Sequence, residues 1–273
     1  MQGLPQNVRS GSATSQNKFS SWKHEVKSAC TVLPISSDLH LDGKYTLLIF
    51  ENSLLVVNLI SSQNTFTPAA LQALQYQYQN QQINLVHLWE DLWRSRTVQV
   101  VARIQSLLGI NKRLHGRKTK VLRIDKPTAD LFLGKYHLQG SVSSRYKFGL
   151  FLQDELVGVA TFSALRKMKH SPNYTSAELI RFAIKSGFSV TGGLSKLLAH
   201  FQSVYHPNDI MSYADCDWSA GASYSRLGFT LEGKLESQIF QLDAEWERSL
   251  VKDSTASEIT VFNTGSLKFI LRY

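Results

Sequence analysis

The chain has 273 residues, an apolar fraction of 43% and a formal net charge of +9 at pH 7. This length suits one large domain or two ordinary ones, with enough apolar residues for a sizeable core. Two cysteines are too few for a disulfide scaffold, no run approaches the roughly 18 apolar residues of a membrane span, and the first residues lack an apolar signal core. We therefore expect a cytosolic protein.

The positive charge is concentrated in the first part of the chain. Residues 1–118 hold 12 Lys and Arg against 6 Asp and Glu, whereas residues 119–273 hold 18 against 15. A basic excess favours association with nucleic acid or another polyanion. A basic protein without such a partner is equally compatible with the charge alone.

The N-terminal part predicts a flexible tail followed by an α/β unit. Residues 1–21 are rich in Gln, Ser, Asn and Gly and have no period, which is typical of a flexible tail. Hydrophobic periodicity then predicts a helix at 22–30, strands at 44–50 and 53–60, a helix at 67–81, a strand at 83–89, and a helix that follows Glu90 and ends at Gly109. One face of this last helix is expected to hold Val98, Val101, Ile104, Leu107 and Leu108.

The densest basic run of the chain spans residues 111–120. It contains His115 and five cationic side chains, Lys112, Arg113, Arg117, Lys118 and Lys120. Such side chains neutralise DNA phosphates without reading sequence, so the five are candidate DNA-binding residues. A solvated linker is the alternative, and we place the boundary between two domains, 22–118 and 119–273, inside this run.

The C-terminal part predicts a second α/β unit. The expected elements are a strand at 121–124, a helix at 128–137, a hairpin of strands 148–153 and 156–162, a strand at 178–185, a helix at 194–205, a strand at 209–215, a short helix at 221–229, and closing strands at 234–242, 259–262 and 267–271. The last two strands are expected to pair through a turn at 263–266. The predicted fold class is α/β (α+β), with a mixed sheet and helices in each domain.

A glycine turn, Thr191-Gly192-Gly193, separates the strand at 178–185 from the helix that begins with Leu194 and Ser195. A helix that opens on such a turn presents free backbone N–H groups and the positive end of its dipole, which attract anions. The turn is therefore a candidate phosphate site. An ordinary strand-to-helix turn is the alternative.

Residues 120–273 resemble the GNAT acyltransferase superfamily. The resemblance lies in the order of the elements and in the ending YSRLGF (224–229) after the fifth strand. It implies a central mixed sheet flanked by helices and acyl-coenzyme A as cofactor. The pyrophosphate would be held after the fourth strand, by Thr191, Gly192, Gly193, Leu194 and Ser195, with Tyr224 also in the cofactor site. Ser189 and Leu194 depart from the pyrophosphate-loop pattern of the superfamily, which Gly192 matches.

A narrower resemblance rests on four blocks in order: FLGKYHLQG (132–140), ELIRF (178–182), VTGGLSK (190–196), and SYAD (212–215) followed by Trp218. They are similar to the GNAT-like C-terminal domain of phage-encoded homing-type endonucleases, a domain comparable with Mom-type DNA-modifying proteins. This resemblance implies a phage or mobile-element protein that works with DNA in the cytoplasm of a bacterial host. Trp218 suits either stacking on an extruded base or core packing.

The polar side chains of these blocks are the candidate catalytic residues: His137, Gln139, Arg181, Tyr213 and Asp215. His137 suits a general base that titrates near neutrality, or a helix cap. Gln139 suits the orientation of a substrate amide or base edge, and Tyr213 suits an acid or a stacking surface. Arg181 lies in an apolar strand and needs a partner, for which we expect an ion pair with Asp215 on the next strand.

The N-terminal part resembles the Vsr-like nuclease domain of the same proteins, in HLWEDLW (87–93) and HGRKT (115–119). This implies a restriction-endonuclease fold, which holds a divalent metal with acidic residues on adjoining strands. Phe50 stands where the family strand has its acid, and Glu51 follows one place later, on the opposite face. Asp42 is the other available acid. We expect a degenerate nuclease domain to which no metal ligands are assigned, with a divalent metal only if this half is active.

Two smaller expectations concern acidic residues. Glu90 and Asp91 are either part of a nuclease site or favourable charges at a helix N terminus. Asp215 and Asp217 flank Cys216, which predicts a raised thiol pKa and argues against a nucleophilic thiolate.

Three functions remain open from the sequence. The first is transfer of an acyl or similar small group to a nucleobase or an amine. The second is metal-dependent DNA cleavage by a homing-type endonuclease, and the third is non-enzymatic DNA binding. No membrane partner is expected, and the oligomeric state stays open.

Overall fold

A computed structural model describes residues 21–169, 171–251 and 259–273. The tail predicted at 1–21 lies outside the described residues, apart from Ser21. None of the helices in the described ranges is long and apolar enough to cross a membrane. The predicted α/β fold class is confirmed, since helices and mixed sheets form both parts of the chain.

The N-terminal elements are α1 (Ser21–Cys30), β1 (Ser37–Asp42), β2 (Tyr45–Phe50), β3 (Leu55–Ile60), α2 (Pro68–Asn80), β4 (Asn84–Trp89) and α3 (Glu90–Leu107). The strands form a four-stranded sheet in the order β1-β2-β3-β4, antiparallel except for the parallel pair β3 and β4. Helices α1 and α3 cover it, and the core includes Trp22, Phe50 and Val57. The sequence missed only β1, an edge strand whose polar and apolar residues are mostly exposed.

The prediction that Val98 belongs to the apolar face of α3 is wrong. Val98 is 69% exposed, whereas Val100 and Ile104 are buried. Val98 lies six residues before Ile104, and at 3.6 residues per turn this separation rotates its side chain by about 120°. The buried face of α3 is therefore narrower than the predicted one.

The C-terminal elements are β5 (Lys112–His115), a 3₁₀ turn (Gly116–Lys118), β6 (Thr119–Arg123), α4 (Lys126–Tyr136), β7 (Tyr146–Leu152), β8 (Glu155–Phe162), β9 (Arg166–Lys167), β10 (Thr175–Ile184), β11 (Phe188–Thr191), α5 (Gly193–Tyr205), β12 (Asp209–Asp215), α6 (Ala222–Arg226), β13 (Thr230–Leu235), β14 (Ile239–Leu242), β15 (Arg248–Leu250), β16 (Thr260–Phe262) and β17 (Ser266–Arg272). The strands, the hairpin, the glycine turn and the following helices occur in the order that the GNAT resemblance implies.

The central sheet of this part has the order β13-β17-β12-β10-β8-β7-β6, with β9 paired to β10. Strands β10 and β12 are parallel, and the other neighbours are antiparallel. Helix α5 packs its apolar stripe on one face of the sheet, where Phe162 and Phe201 stack with ring centroids 4.0 Å apart. The helix thereby has a fixed position relative to β10.

Two predictions for the closing strands are wrong. The strand predicted at 234–242 is two strands, β13 and β14, that belong to different sheets. Strands β16 and β17 do not pair with each other: β16 pairs with β14, and β17 lies between β12 and β13. The segment between them is held by side-chain bonds in place of a hairpin, because Asn263 Oδ1 accepts from Gln238 N at 2.8 Å and from Gly265 N at 3.1 Å.

The predicted boundary at residues 118 and 119 stays a prediction, and contacts cross it. Strand β5 pairs in parallel with β11. In the other direction, the loop after β12 lies on the N-terminal sheet, where His87 N donates to Asp217 O at 2.8 Å. Trp218 is 4% exposed within the N-terminal core. Of the two roles considered for Trp218, the structure therefore shows core packing.

Because Trp218 fills the N-terminal core, Trp218→Ala should leave a large cavity and lower the free energy of unfolding by about 3–5 kcal/mol. Tyr76→Ala is the control, since Tyr76 is 66% exposed. Urea unfolding followed by circular dichroism measures both variants. A Trp218→Ala variant as stable as the Tyr76→Ala variant would contradict this packing.

Candidate functional site

The parallel strands β10 and β12 pair only near their beginnings. Three residue pairs join them, from Ser176 with Asp209 to Glu178 with Met211. Among the described residues they form no further pair, although β10 continues to Ile184. A bulge in β10 between residues 179 and 181 accompanies the separation. The two strands diverge, and a cleft opens between them.

The cleft has a volume of about 890 Å³. Its walls are the diverging ends of β10 and β12, the first turn of α5, the residues after α4, one face of α3, and part of the sheet formed by β14, β15 and β16. The five predicted catalytic residues all line it: His137, Gln139, Arg181, Tyr213 and Asp215. Of the predicted cofactor residues, the lining includes Gly192, Gly193, Leu194, Ser195 and Tyr224, but not Thr191.

The glycine turn at the cleft depends on close backbone packing. Gly192 has a φ of +73° and caps α5 without a side-chain bond. Behind it, a Cβ on Gly116 would lie 3.0 Å from backbone atoms of Gly192 and Gly193. Lys196 Nζ donates to Gly116 O at 3.1 Å. Gly116 of the basic run thus packs against the glycine turn and holds it in place. The N–H groups in the first turn of α5 lack intrahelical partners.

His137 ends helix α4 as its cap. Its N–H donates to Leu133 O at 2.9 Å, and its Nδ1 accepts from Gln139 N at 3.1 Å. Burial, together with the charges of Arg181 and Arg103, lowers the pKa of His137 to about 3. The expectation that His137 titrates near neutrality is therefore wrong, because the cationic form is disfavoured in this environment. A catalytic role for His137 stays a prediction.

Asp215 and Gln139 form a direct contact in the cleft. Asp215 Oδ2 accepts from Gln139 Nε2 at 3.1 Å, and Oδ1 accepts from Asp217 N at 3.0 Å. Burial raises the pKa of the Asp215 carboxyl. The structure thus brings these two predicted residues together and orients the carboxylate.

The ion pair predicted between Arg181 and Asp215 is wrong. Arg181 instead donates from Nε to Gly140 O at 3.3 Å and from Nη1 to Ile180 O at 3.0 Å. The divergence of β10 from β12 separates the two side chains too far for direct contact. Arg181 satisfies part of its guanidinium with backbone carbonyls.

Asp217 is the most constrained acid of the site, and the sequence did not identify it. It is 2% exposed, its Oδ1 accepts from Thr264 N at 3.1 Å and Thr264 Oγ1 at 2.7 Å, and its Oδ2 accepts from Trp89 Nε1 at 3.2 Å. Burial and the neighbouring Asp215 raise the pKa of Asp217 to about 7.

Burial also raises the pKa of the Cys216 thiol to about 11, with a smaller contribution from the two aspartates. The predicted increase of the thiol pKa is therefore confirmed.

Helix α3 and strand β15 add charged residues that sequence reasoning missed. Arg248 forms a bidentate ion pair with Asp91, at 2.6 Å and 3.0 Å, so Asp91 is committed to a contact between the two parts of the chain. Arg103 also lines the cleft. The available signal was a polar stripe on α3 at spacings of three and four, but periodicity does not say what the stripe faces.

The basic run forms β5, the 3₁₀ turn and β6, so it is not a solvated linker. Its five cationic side chains are exposed, and none belongs to an ion pair within the described residues: Lys112, Arg113, Arg117, Lys118 and Lys120. DNA binding by these residues stays a prediction.

The acids considered for the nuclease are dispersed. Phe50 is 1% exposed, Glu51 is exposed in the turn after β2, and Asp42 is exposed at the end of β1. The described ranges contain no group of three or more His, Cys, Asp or Glu side chains arranged to hold a metal ion.

No protein-family model and no curated protein matches the chain. Among solved structures, a Bacillus subtilis acetyltransferase in complex with CoA covers 57% of this chain and 99% of its own, at 16% identity and a TM-score of 0.34. Arabidopsis thaliana Naa50, in complex with a bisubstrate analogue, covers 57% and 99%, at 11% identity and 0.39. The ribosomal-protein-S18-alanine N-acetyltransferase of Escherichia coli covers 56% and 93%, at 14% identity and 0.36.

These superpositions are loose. Residues 120–273 resemble GNAT proteins through the order of their elements and the ending at 224–229.

The raised pKa of Asp217 predicts a pH dependence of stability. An unfolded aspartate titrates near pH 4, whereas folded Asp217 titrates at about 7. Between these values the folded state retains a proton that the unfolded state has lost, so this group lowers the free energy of unfolding as pH rises. Asp217→Asn removes the titration, and the variant should gain stability relative to the wild type between about pH 4 and pH 7.

Urea unfolding at several pH values measures this difference. Asp154→Asn, at an exposed turn position, is the control and should follow the wild-type pH profile. A constant difference between wild type and Asp217→Asn across this window would show that Asp217 ionises normally.

Proposed function

We propose that the chain binds acyl-coenzyme A in the cleft and transfers the acyl group to an amine. One observation carries this proposal: β10 and β12 separate after three residue pairs, and the first turn of α5 and Tyr224 line the resulting opening. The GNAT resemblance implies the cofactor at this place. The acceptor in the narrower form of the proposal is an amine of a nucleobase.

The cleft offers two kinds of contact that suit this cofactor. The carbonyls of Leu179 and Ile180 already accept from Ser212 Oγ and Arg181 Nη1. Beyond them, the edge of β10 no longer pairs with β12, so its backbone can bind the amide groups of an extended ligand as it would bind an added strand. The first turn of α5 presents backbone N–H groups and the positive end of the helix dipole to a pyrophosphate. Gly192 and Gly193 allow the ligand to approach this backbone closely.

Bound acyl-coenzyme A would supply the acyl group as a thioester. Asp215, oriented by Gln139 and with a raised pKa, is the group we assign to accept the proton of the attacking amine. In the transfer, the amine nitrogen bonds to the acyl carbon, the C–S bond breaks, and the sulfur takes a proton.

Tyr224 is the group that we assign to donate the proton to the sulfur. Ser212 Oγ donates to Leu179 O at 3.0 Å, so the Tyr224 hydroxyl donates to Ser212 Oγ, also at 3.0 Å, and rotation about its C–O bond would turn the same proton to the sulfur. Burial raises the pKa of Tyr224, which keeps its proton available at pH 7. Tyr213, which is 37% exposed on the same strand as Asp215, places another phenol hydroxyl in the cleft.

Ser195→Glu tests the position of the cofactor. A carboxylate in the first turn of α5 suits the helix dipole and should preserve folding, but it would repel a pyrophosphate at the same place. We expect coenzyme A affinity, measured by isothermal titration calorimetry, to fall about tenfold or more, equivalent to roughly 1.4 kcal/mol. Ser203→Glu, an exposed position near the other end of the helix, should bind coenzyme A as the wild type does.

Two results would overturn the proposal. Wild-type protein that binds neither coenzyme A nor acetyl-coenzyme A would remove the cofactor. Equal affinities for the Ser195→Glu and Ser203→Glu variants would remove the assigned pyrophosphate position.

We also propose that the five exposed cationic residues between 112 and 120 bind DNA. They are unpaired among the described residues, and the rigid backbone of β5 and β6 presents them next to the glycine turn. Cations arranged in this way attract phosphates through counterion release. DNA bound there would lie near the cleft.

Replacing Lys112, Arg113, Arg117 and Lys118 together by Ala should weaken binding of duplex DNA. Each lost phosphate contact should also lower the slope of log affinity against log salt by about one. Fluorescence anisotropy at several salt concentrations measures both quantities. A matched variant with four other exposed cations replaced, Lys126, Lys135, Lys167 and Arg226, is the control, and equal losses in the two variants would contradict the assignment.

A further inference from the structure

We propose that Arg103 and Arg181 form an anion-binding subsite in the cleft, and that the acceptor amine carries a carboxylate or phosphate group held there. The role in acceptor recognition rests on the proposed function, whereas anion binding does not. Arg103 comes from α3 in the N-terminal part and Arg181 from β10 in the C-terminal part, so each half of the chain supplies one guanidinium.

Arg103 lines the cleft without a polar partner. Within the described residues it belongs to no hydrogen bond or ion pair, and burial lowers its pKa. A guanidinium on the wall of a cleft, with no protein partner for its N–H groups, can use all of them for a ligand. An anion in the cleft would accept from these groups.

The Arg181 guanidinium is held in one orientation, but only some of its N–H groups form hydrogen bonds. Its Nε and Nη1 donate to the carbonyls of Gly140 and Ile180, which fix the plane of the guanidinium. No described residue accepts from its Nη2. A fixed guanidinium with free N–H groups suits the fork geometry by which arginine binds carboxylate and phosphate oxygens.

The two arginines act on the same surroundings. Both lower the pKa of His137, and both contribute to the electrostatic environment of Tyr224. Each is in turn influenced by Asp215. Both guanidiniums and these three shared neighbours line the same cleft.

The other arginines of the cleft are already paired. Arg248 is paired with Asp91, and Arg96 with Glu247 at 2.7 Å. Glu178 and Asp215 are the acids that act on Arg181, but within the described residues neither forms an ion pair with Arg103 or Arg181. Both guanidiniums therefore keep N–H groups available to an anionic ligand.

The position of the two arginines favours binding of the acceptor over binding of the cofactor. Arg103 interacts electrostatically with Asp215 and Tyr224, which we assign to proton transfer, and with His137, and none of these three belongs to the glycine turn. An amine beside Asp215 would place an anionic group of the same molecule near the two arginines. The N-terminal half would thus supply part of the acceptor site.

Saturation-transfer NMR on the full chain tests this with two matched pairs of probes. Glycine against glycinamide isolates a carboxylate, and 2′-deoxyadenosine 5′-monophosphate against 2′-deoxyadenosine isolates a phosphate. We expect the anionic member of at least one pair to bind more tightly. Arg103→Gln and Arg181→Gln should each weaken its binding about tenfold, the effect expected for loss of a charged hydrogen bond, while Arg103→Lys should lose less.

Arg166→Gln is the matched control, since it removes an exposed arginine outside the cleft and outside the basic run, and circular dichroism checks the fold of each variant. A preference for the phosphate or for the carboxylate probe identifies the acceptor chemistry. Equal binding of anionic and neutral probes, or unchanged binding in the Arg103→Gln variant, would overturn the subsite.

Coenzyme A separates this proposal from the previous one. If Arg103→Gln weakens coenzyme A as much as it weakens the anionic probe, the arginines belong to the cofactor, and the acceptor assignment is wrong. If the wild type binds the anionic probe but no coenzyme A, the acyl-transfer proposal fails and the anion subsite stands.

Discussion

The attachment of the loop after β12 to the N-terminal sheet is the constraint on which the site depends. Asp217 receives hydrogen bonds from Trp89 and Thr264, its carbonyl accepts from His87, and Trp218 fills the N-terminal core. These contacts hold the end of β12 against β4. Strand β10 instead follows β8, with which it pairs as far as Ile184, so the two parallel strands separate and the cleft remains open.

The same attachment concentrates buried charge at the cleft. Asp215 and Asp217 are two residues apart, and a low-dielectric environment disfavours two ionised carboxylates so close together. Their pKa values are raised, and His137 is kept neutral by burial and by two arginines. In the proposed reaction we therefore assign proton transfer to Asp215 and not to His137.

Much of the secondary structure could be predicted because it depends on local patterns. The stripe on α5, the apolar run of β12 and the hairpin of β7 and β8 each have a period that the chain shows directly. The errors occur where neighbours far along the chain decide the outcome. Strands β16 and β17 follow one another like the arms of a hairpin, but Asn263 and Thr264 bind other segments and send the two strands into different sheets.

The sequence by itself determined most of the elements and their order, the glycine turn, and five polar residues that line the cleft, since these follow from residue type and spacing. Only the tertiary structure decided how those residues are partnered. Arg181 binds backbone carbonyls and not Asp215. Arg103 lies 78 positions before Arg181 in the chain, and it enters the same cleft from helix α3. The physical reason is that burial, pKa and hydrogen-bond partners depend on distances across the fold, and a period along the chain carries no information about those distances.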